Sequence, residues 1–275
     1  MNCHRIIRAN PPGLDIERAN DYSPLRRITL CALCLLATMR IAAAQTDTIH
    51  TDSADILVHP IGHATMVLQS GGRTLFVDPI GDAETFGFFG EPDLILVTDI
   101  HGDHLNADLL GAVTTKHTKI VAPKAVFDKL PLAERAQTKI LANGDTLLVG
   151  DIRVEAIPMY NTSPDREFHE KGRGNGYVVT LSGTRIYISG DTEDIPEMRA
   201  LKNIDAAFVC MNVPYTMDVD AAADAVLEFK PRIVYPYHYR GQDGMADVAR
   251  FRKLVAEDPS IDVRQLDWYA VDAEK

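Results

Sequence analysis

The segment 94–105 constrains the fold of this chain more than any other. It opens with four aliphatic residues, 94–97, a short uninterrupted run that is typical of a strand buried on both faces. The next seven residues hold two carboxylates and two imidazoles around one glycine: Asp99, His101, Gly102, Asp103 and His104. Carboxylates crowded at a strand end repel each other and lose hydration unless a cation binds them. The segment therefore predicts a strand ending in a divalent-metal site; the structural alternative is an exposed acidic loop with two solvated histidines.

Length and charge limit the classes of protein to which the chain can belong. Its 275 residues are enough for one large α/β domain or two small ones, and 46% apolar residues are typical of a soluble globular protein. The formal net charge of −11 disfavours nucleic acid and anionic membranes as partners, because both are themselves negatively charged. We therefore expect a small-molecule substrate, and the sequence leaves the oligomeric state open.

The N-terminal region has the order of a secretory signal peptide. Arg26 and Arg27 precede the apolar run 28–39, and the alanines at 42–44 supply the small residues needed for cleavage before Gln45. A start codon assigned too far upstream would explain the long segment that precedes this pattern. We predict export of the protein, to the bacterial periplasm.

The predicted cleavage divides the chain into an N-terminal extension with signal peptide, 1–44, and a mature domain, 45–275. The apolar run of the leader is shorter than a bilayer-spanning helix and is followed by Arg40, so we expect no stable membrane insertion after cleavage. Only Cys210 remains in the mature part, which therefore has no internal disulfide and in which this residue is predicted to be buried.

The pattern of secondary structure changes along the mature part of the chain. Hairpins with glycine turns dominate its first part, and alternating helices and strands follow. This order predicts one domain in which two sheets pack face to face with helices outside. We predict loops over 45–55, 81–92 and 160–176, and a helix over 243–256.

Further side chains that can bind metal follow later strands. Asp191 ends an apolar strand, where it can bind a metal or cap a following helix. His238 also follows an apolar strand, where a lone histidine is more often a hydrogen-bonded core residue. Asn161 and His169 come after a third strand, and imidazole is a much better transition-metal ligand than a neutral amide.

The residues 98–104, Thr-Asp-Ile-His-Gly-Asp-His, resemble the T-H-x-H-x-D-H motif of the metallo-β-lactamase superfamily, with Asp99 where the first histidine is usual. The resemblance implies the superfamily's four-layer αββα sandwich. It also implies that Asp191 bridges two metals and that His238 is the last ligand. Asn161 stands where many members have a histidine. We therefore predict that His169 fills that place, the alternative being a substrate-facing or solvated loop histidine.

Two further segments resemble the L-ascorbate-6-phosphate lactonase-like branch of the superfamily: Gly62-His63-Ala64-Thr65 and Phe76-Val77-Asp78-Pro79. On this resemblance, Asp78 is expected to support the metal-binding loop by hydrogen bonds. His63 and Asn161 are expected to support ligands or to contact substrate. A purely structural capping role is the alternative for Asp78 and His63.

The resemblance implies two sites for divalent metals, which are either zinc or the alternatives manganese and iron. Their ligands are Asp99, His101, His169 and Asp191 at one site and Asp103, His104, Asp191 and His238 at the other. A metal-bound hydroxide would then cleave a lactone, ester, amide or phosphodiester bond, with Asp103 or Asp191 orienting it or moving its proton.

Three alternatives to this reading stay open. Asp99 is a harder ligand than imidazole, so it favours manganese or iron at its site, or it leaves that site weak in a one-metal enzyme. The chain can also be a degenerate, metal-binding member of the fold without turnover. An iron-dependent oxygenase-type relative is the third.

Overall fold

The computed structural model describes residues 46–269. The signal peptide predicted over 1–44 lies outside this range. Within it, no helix has both the length and the apolar character needed to cross a bilayer. Two sheets of seven strands each form the body of the described chain.

The first sheet comes from the N-terminal half, and its strands lie side by side in chain order. Neighbours are antiparallel from the first strand to the fourth and parallel from the fourth to the seventh. The strands are β1 (Asp47–Ile49), β2 (Ile56–Gly62), β3 (Thr65–Ser70), β4 (Arg73–Val77), β5 (Leu94–Leu96), β6 (Lys119–Ala122) and β7 (Thr138–Ile140).

The second sheet comes from the C-terminal half and combines the same two kinds of pairing. Its strands are β8 (Thr146–Val149), β9 (Ile152–Met159), β10 (Gly174–Leu181), β11 (Thr184–Ile188), β12 (Ala206–Cys210), β13 (Ile233–Tyr237) and β16 (Asp262–Val263). They lie in the order β16-β13-β12-β11-β10-β9-β8, with parallel pairing from β16 to β11 and antiparallel pairing from β11 to β8. A separate two-stranded hairpin consists of β14 (Arg240–Gly241) and β15 (Gly244–Met245).

Seven helices connect the strands within the described range. They are α1 (Ala83–Gly87), α2 (Ala107–Val113), α3 (Lys124–Lys129), α4 (Leu132–Arg135), α5 (Pro196–Arg199), α6 (Val219–Phe229) and α7 (Val248–Val255). Side chains of α1, α2 and α3 pack on the first sheet, and side chains of α6 and α7 join the core formed with the second.

Alternate residues of neighbouring strands enter different cores. Val67 and Phe76 pack with Phe86 of α1 on the outer face of the first sheet. Leu68 and Leu75 face the other way and belong to the core between the sheets. The result is four layers, with helices outside and two sheets inside, which confirms the predicted fold class.

The two sheets meet through main-chain atoms where β5 ends, at a contact that we call the seam. The amide of Asn175 donates to the carbonyl of Thr98 (3.0 Å). A Cβ on Gly190 would lie 2.6 Å from the Sδ of Met159 and 3.3 Å from the Cβ of Thr98, and one on Gly174 would lie 3.0 Å from the carbonyl oxygen of Thr98. The missing side chains let the residues that follow β5 lie directly on the second sheet.

Two of the predicted loops contain regular structure. The polar lead-in 45–55 includes β1, which pairs with β2 and buries Ile49 in the core. The glycine-rich segment 81–92 includes α1, whose Phe86 packs on Phe76 with ring centroids 4.9 Å apart. In both cases contacts with the rest of the domain fix a segment whose composition alone suggests a loop.

Two predicted boundaries are also wrong. The loop predicted over 160–176 ends early, because β10 begins at Gly174 and pairs with β9 from its first residue. The helix predicted over 243–256 begins only at Val248, because Asp247 caps it by accepting a hydrogen bond from the amide of Arg250. The residues before it form the β14–β15 hairpin instead.

Candidate metal centre

The seven side chains predicted as metal ligands all lie at one edge of the two sheets, in two neighbouring groups. Four come from the loop after β5, one from the loop between β9 and β10, one from the end of β11 and one from the end of β13. Strands of mixed sheets commonly place functional side chains at their carboxyl ends, where the loops are free to vary.

The first cluster consists of Asp103, His104, Asp191 and His238. The Nε2 atoms of His104 and His238 lie 3.2 Å apart. Asp191 lies 3.3 Å from the first of these atoms, through Oδ2, and 3.2 Å from the second, through Oδ1. Asp103 Oδ2 is 3.6 Å from His238 Nε2. Two ligands held about 2.0–2.1 Å from zinc at tetrahedral angles are about 3.3 Å apart, so these spacings suit a shared metal ion.

The second cluster consists of Asp99, His101 and His169. Asp99 Oδ2 lies 2.7 Å from His101 Nδ1 and 3.9 Å from His169 Nε2. Asp191 Oδ2 lies 3.2 Å from that same His169 nitrogen, so this carboxylate contacts both clusters. The arrangement places Asp191 between the clusters, where a bridging ligand would be needed.

Several polar atoms of the site need a cation. Neither ring nitrogen of His169, nor Oδ1 of Asp191, has a hydrogen-bond partner within residues 46–269, and both side chains are buried. Leaving such groups unpaired in the interior is costly. The first cluster offers two imidazoles and two carboxylates, and the second offers two imidazoles and one carboxylate. Zinc, manganese and iron accept such nitrogen and oxygen ligands, so both clusters fit a divalent metal.

Asp78 fixes the orientation of His104. Its buried carboxylate accepts hydrogen bonds from the His104 Nδ1–H (2.8 Å), the amide of Thr98 (2.7 Å) and the Thr98 hydroxyl (2.6 Å). Protonation at Nδ1 leaves the lone pair of Nε2 directed at the first cluster. Asp78 thus has the contacts expected of a residue that supports the metal-binding loop.

The electrostatics of the first cluster favour a cation. Burial alone would lower the pKa of His104, but the charges of Asp191 and Asp78 outweigh it and raise that pKa well above its ordinary value. Burial lowers the pKa of His238 to about 3, which leaves a neutral imidazole able to bind metal. Although burial opposes ionisation of Asp191, the imidazoles of His238 and His104 beside it hold the pKa of that carboxyl well below its usual range.

Left-handed backbone conformations occur at three residues of the site. His63, Asp78 and His238 have φ angles of 54°, 43° and 47°. Such angles cost about 1 kcal/mol or more for residues other than glycine. Their occurrence together shows that the surrounding contacts hold these side chains in place against a local preference.

His63 links Asp103 to an open cavity of about 310 Å³. Its Nε2 lies 3.3 Å from Asp103 Oδ2, and its Nδ1 lies 2.8 Å from the hydroxyl of Tyr269. Tyr269 and Arg240 line the same cavity, with the guanidinium 4.2 Å from the ring centre. Because Asp103 also lines it, a molecule in the cavity reaches the edge of the first cluster.

Asn161 and Glu193 hold the loop that carries His169. The Asn161 side chain accepts from the amide of His169 (2.8 Å) and donates to the carbonyl of Tyr215 (2.9 Å). The buried carboxylate of Glu193 accepts from the amides of Thr162 and Ser163 and pairs with a guanidinium in the same loop. Both ends of the Asn161 amide are therefore engaged in supporting His169.

The ion pair between Arg173 and Asp99 is the principal contact that sequence analysis did not predict. Its guanidinium spans both oxygens of Asp99, at 3.2 Å from Oδ1 and 3.1 Å from Oδ2. Burial of Asp99 opposes ionisation, but the hydrogen bond from His101 and the charge of Arg173 lower its pKa below the ordinary value. The signal available was the substitution itself, because a carboxylate buried in place of a neutral imidazole needs a compensating charge.

Comparisons with known proteins find a matching family model and several similar proteins. Residues 57–238 match the family model described as the beta-lactamase superfamily domain. A UPF0173 metal-dependent hydrolase from Pyrococcus furiosus is 30% identical over 211 residues, which cover 73% of this chain and 92% of that protein. A UPF0173 metal-dependent hydrolase from Thermococcus kodakarensis is 31% identical over 215 residues, covering 74% and 94%.

Solved structures show the same fold. A protein from Parabacteroides distasonis, whose name assigns it to the metal-dependent hydrolases, is 39% identical with a TM-score of 0.73, covering 81% of this chain and 98% of its own. Igni18, a metallo hydrolase from Ignicoccus hospitalis, has a TM-score of 0.64 over 77% of this chain and 94% of its own. At 21% identity, this second likeness concerns the fold alone.

Proposed function

Since the chain belongs to the beta-lactamase superfamily and is a metal-dependent hydrolase, we propose that it cleaves a lactone, ester, amide or phosphodiester bond in a small molecule. The observation that carries this proposal is the convergence of two ligand clusters on Asp191. Ligand atoms 3.2–3.3 Å apart in a buried setting suit the binding of a cation that activates water.

The first cluster would hold one metal through Asp103, His104, Asp191 and His238. The second would hold another through Asp99, His101 and His169, with Asp191 between them. When bound, a divalent metal lowers the pKa of water from 15.7 to about 7 and polarises the oxygen of the scissile group. Zinc, manganese and iron all suit this donor set, with Asp99 favouring the harder ions at its own site.

The chain's own carboxylates supply the proton handling that we propose. Asp103 is the ligand of the first cluster that faces the cavity, and its side chain is 42% exposed. It is therefore placed to orient the attacking water and to accept its proton. Asp191 is buried and contacts three imidazoles, which suits it better to holding the ligands together.

The cavity beside Asp103 supports a small substrate. Its volume of about 310 Å³ is at the lower end for ligand pockets. Ile61, Ile80 and Trp268 give it an apolar wall, and His63 and Arg240 give it polar groups. The segments around His63 and Asp78 support a relationship to the lactonase-like branch, so lactones belong first in a substrate screen.

The proposal is tested with a panel of chromogenic esters, lactones, amides and phosphodiesters. We expect hydrolysis of at least one class, its loss after metal removal with a chelator, and its return on adding zinc, manganese or iron. Bound metal without turnover on a broad panel would instead support the degenerate, metal-binding alternative.

A matched pair of variants tests the site assignment. His238→Ala is expected to lower turnover by at least about 1,000-fold while the circular dichroism spectrum stays unchanged. His117→Ala, an exposed histidine outside both clusters, is expected to leave activity unaltered. Full activity and metal content in the His238→Ala protein would contradict the assignment.

Export to the periplasm remains part of the proposal. The basic, apolar and small-residue order of residues 26–44 supports it. Mass spectrometry of the protein isolated from periplasmic extracts should give a mature N-terminus at Gln45. Recovery of the chain only from the cytoplasm, with its leader intact, would contradict it.

A further inference from the structure

Asp99 is the one carboxylate among the predicted ligands that is paired with a guanidinium in the described part of the chain. Its side chain is fully buried, and that of Arg173 is 21% exposed. The guanidinium also donates to the carbonyl of Phe168 at 2.7 Å, which holds it in the loop next to His169. Arg173 is therefore a fixed part of the second cluster's wall.

The donors around Asp99 occupy both of its oxygens. Oδ2 lies 2.7 Å from His101 Nδ1 and 3.1 Å from an Arg173 nitrogen, and Oδ1 lies 3.2 Å from another Arg173 nitrogen. A metal that binds through Oδ2, the oxygen 3.9 Å from His169 Nε2, must displace at least one contact, because that oxygen already has two donors. It must also approach a fixed positive charge at short range, in a buried setting where screening is weak.

The first cluster has no such competitor. Within residues 46–269, the ion pairs of Asp103 and Asp191 are all with histidines. An imidazole that loses its proton becomes a ligand, whereas a guanidinium cannot lose its proton and has no lone pair to offer. The two clusters therefore differ in whether a cation of the chain itself stands where a metal would bind.

We propose that Arg173 sets the affinity of the second cluster. The chain then binds one divalent metal tightly in the first cluster and a second one weakly and reversibly, with Arg173 supplying part of the positive charge that a second metal would bring. This inference rests on the proposed function, because it assumes that the clusters bind metal. It assigns Arg173 a role as a positioning residue that competes with the metal for Asp99.

Zinc titration of the chelator-treated protein tests the proposal without any substrate. The readouts are calorimetric binding isotherms and the zinc content after desalting. Wild type is expected to keep one zinc per chain and to show a second site at least about 100-fold weaker. Arg173→Gln is expected to tighten the second site by about 10- to 100-fold and to raise the retained zinc towards two per chain.

One further variant separates the charge of Arg173 from the shape of its side chain, and another is a control. Arg173→Lys keeps a cation but loses the fork that spans both oxygens of Asp99, so its second site should fall between those of wild type and Arg173→Gln. Arg185→Gln removes a guanidinium that pairs with Glu155 at the opposite end of β11 from Asp191. It should leave both zinc affinities unchanged.

The outcomes distinguish this proposal from the one on which it rests. Two zinc ions of equal affinity in wild type would overturn the role of Arg173 and leave the hydrolase proposal standing. An unchanged second site in a folded Arg173→Gln protein would do the same. A wild-type protein that binds no divalent metal would overturn the metal centre itself.

Discussion

The two halves of the molecule supply the metal centre in different ways. The N-terminal half contributes four ligands from six consecutive residues, all in the loop after β5. The C-terminal half contributes three ligands from three separate places, the β9–β10 loop and the ends of β11 and β13. Asp78 supports the first set from inside, whereas Glu193 and Asn161 support part of the second set.

The N-terminal ligands are neighbours in the chain, whereas the C-terminal ligands are brought together only by the fold. A loop held on a buried carboxylate can have its shape before the rest of the site forms, but the three C-terminal ligands meet only when the whole second sheet has formed. The N-terminal set should therefore respond mainly to its own anchor. The C-terminal set should respond to contacts that join distant segments.

The largest effect is expected where both sets meet. Asp191→Asn removes the charge that contacts His104, His169 and His238. Turnover should fall by at least about 1,000-fold, and the metal content should drop in both clusters, because the shared carboxylate is lost.

Metal analysis and hydrolysis of the best substrate of the panel measure this effect. Asp108→Asn, at an exposed aspartate in α2, is the control. Loss of metal from one cluster only in Asp191→Asn would show that the two clusters do not share this carboxylate.

A smaller effect, confined to the first cluster, is expected for Asp78→Asn. The variant weakens the hydrogen bonds to His104 and Thr98, so metal affinity of the first cluster should fall by about 10- to 100-fold. The free energy of unfolding should fall by about 2 kcal/mol or more, because Thr98 and His104 lose the buried charged acceptor that they share. Urea denaturation and zinc competition assays measure the two quantities, and equal weakening of both clusters would contradict a local role.

Glu193→Gln tests the anchor of the C-terminal loop through pH. Burial opposes ionisation of Glu193, but hydrogen bonds from Thr162 and Ser163 outweigh it and lower the pKa from 4.5 to about 2. The ionised form is thus favoured by folding, and its contribution is complete above pH 4.5 and lost as the pH falls towards 2.

The variant should therefore be less stable than wild type at pH 6 and approach it below pH 3. Free energies of unfolding from urea titrations at pH 6, 4 and 3 measure this convergence. A constant difference across that range would show that the ionised carboxylate of Glu193 is not what holds the loop.

The smallest effect is expected for Asn161→Ala. The variant removes one hydrogen bond to the amide of His169 and one to the carbonyl of Tyr215, which together stabilise the fold by about 1–2 kcal/mol. Zinc affinity of the second cluster should fall a few-fold and that of the first should not change. Thermal unfolding and the same zinc titration measure both, and an effect on the first cluster alone would contradict the assignment of this anchor.

The parts of the fold that sequence predicts are those fixed by local pattern. The strand predicted over 94–97 follows from its uninterrupted aliphatic run, and the structure has β5 at Leu94–Leu96. The short elements β1 and α1 were missed because contacts with distant residues fix them, such as Phe86 on Phe76. A segment of three to five residues is too short for its hydrophobic periodicity to indicate a helix or a strand.

The candidate site divides in the same way. The cluster at 99–104 is visible in the sequence because its side chains are neighbours in the chain. Asp191, His238 and His169 could be proposed only through resemblance, because nothing local distinguishes a ligand from a cap or a core histidine. Asp99 in place of a histidine signals that a compensating charge is needed, but no pattern in one sequence identifies Arg173, 74 positions away, as its source.

The glycine seam between the sheets has a consequence for how this fold can diverge. Metal coordination accepts errors of only about 0.2 Å in ligand position, far less than the thickness of a methyl group. Gly174 and Gly190 set the spacing between the ligand-bearing strands by having no side chain there. A substitution on the exposed face of an outer helix leaves this gap unchanged, whereas any side chain added at Gly174 or Gly190 would push the ligand-bearing segments apart.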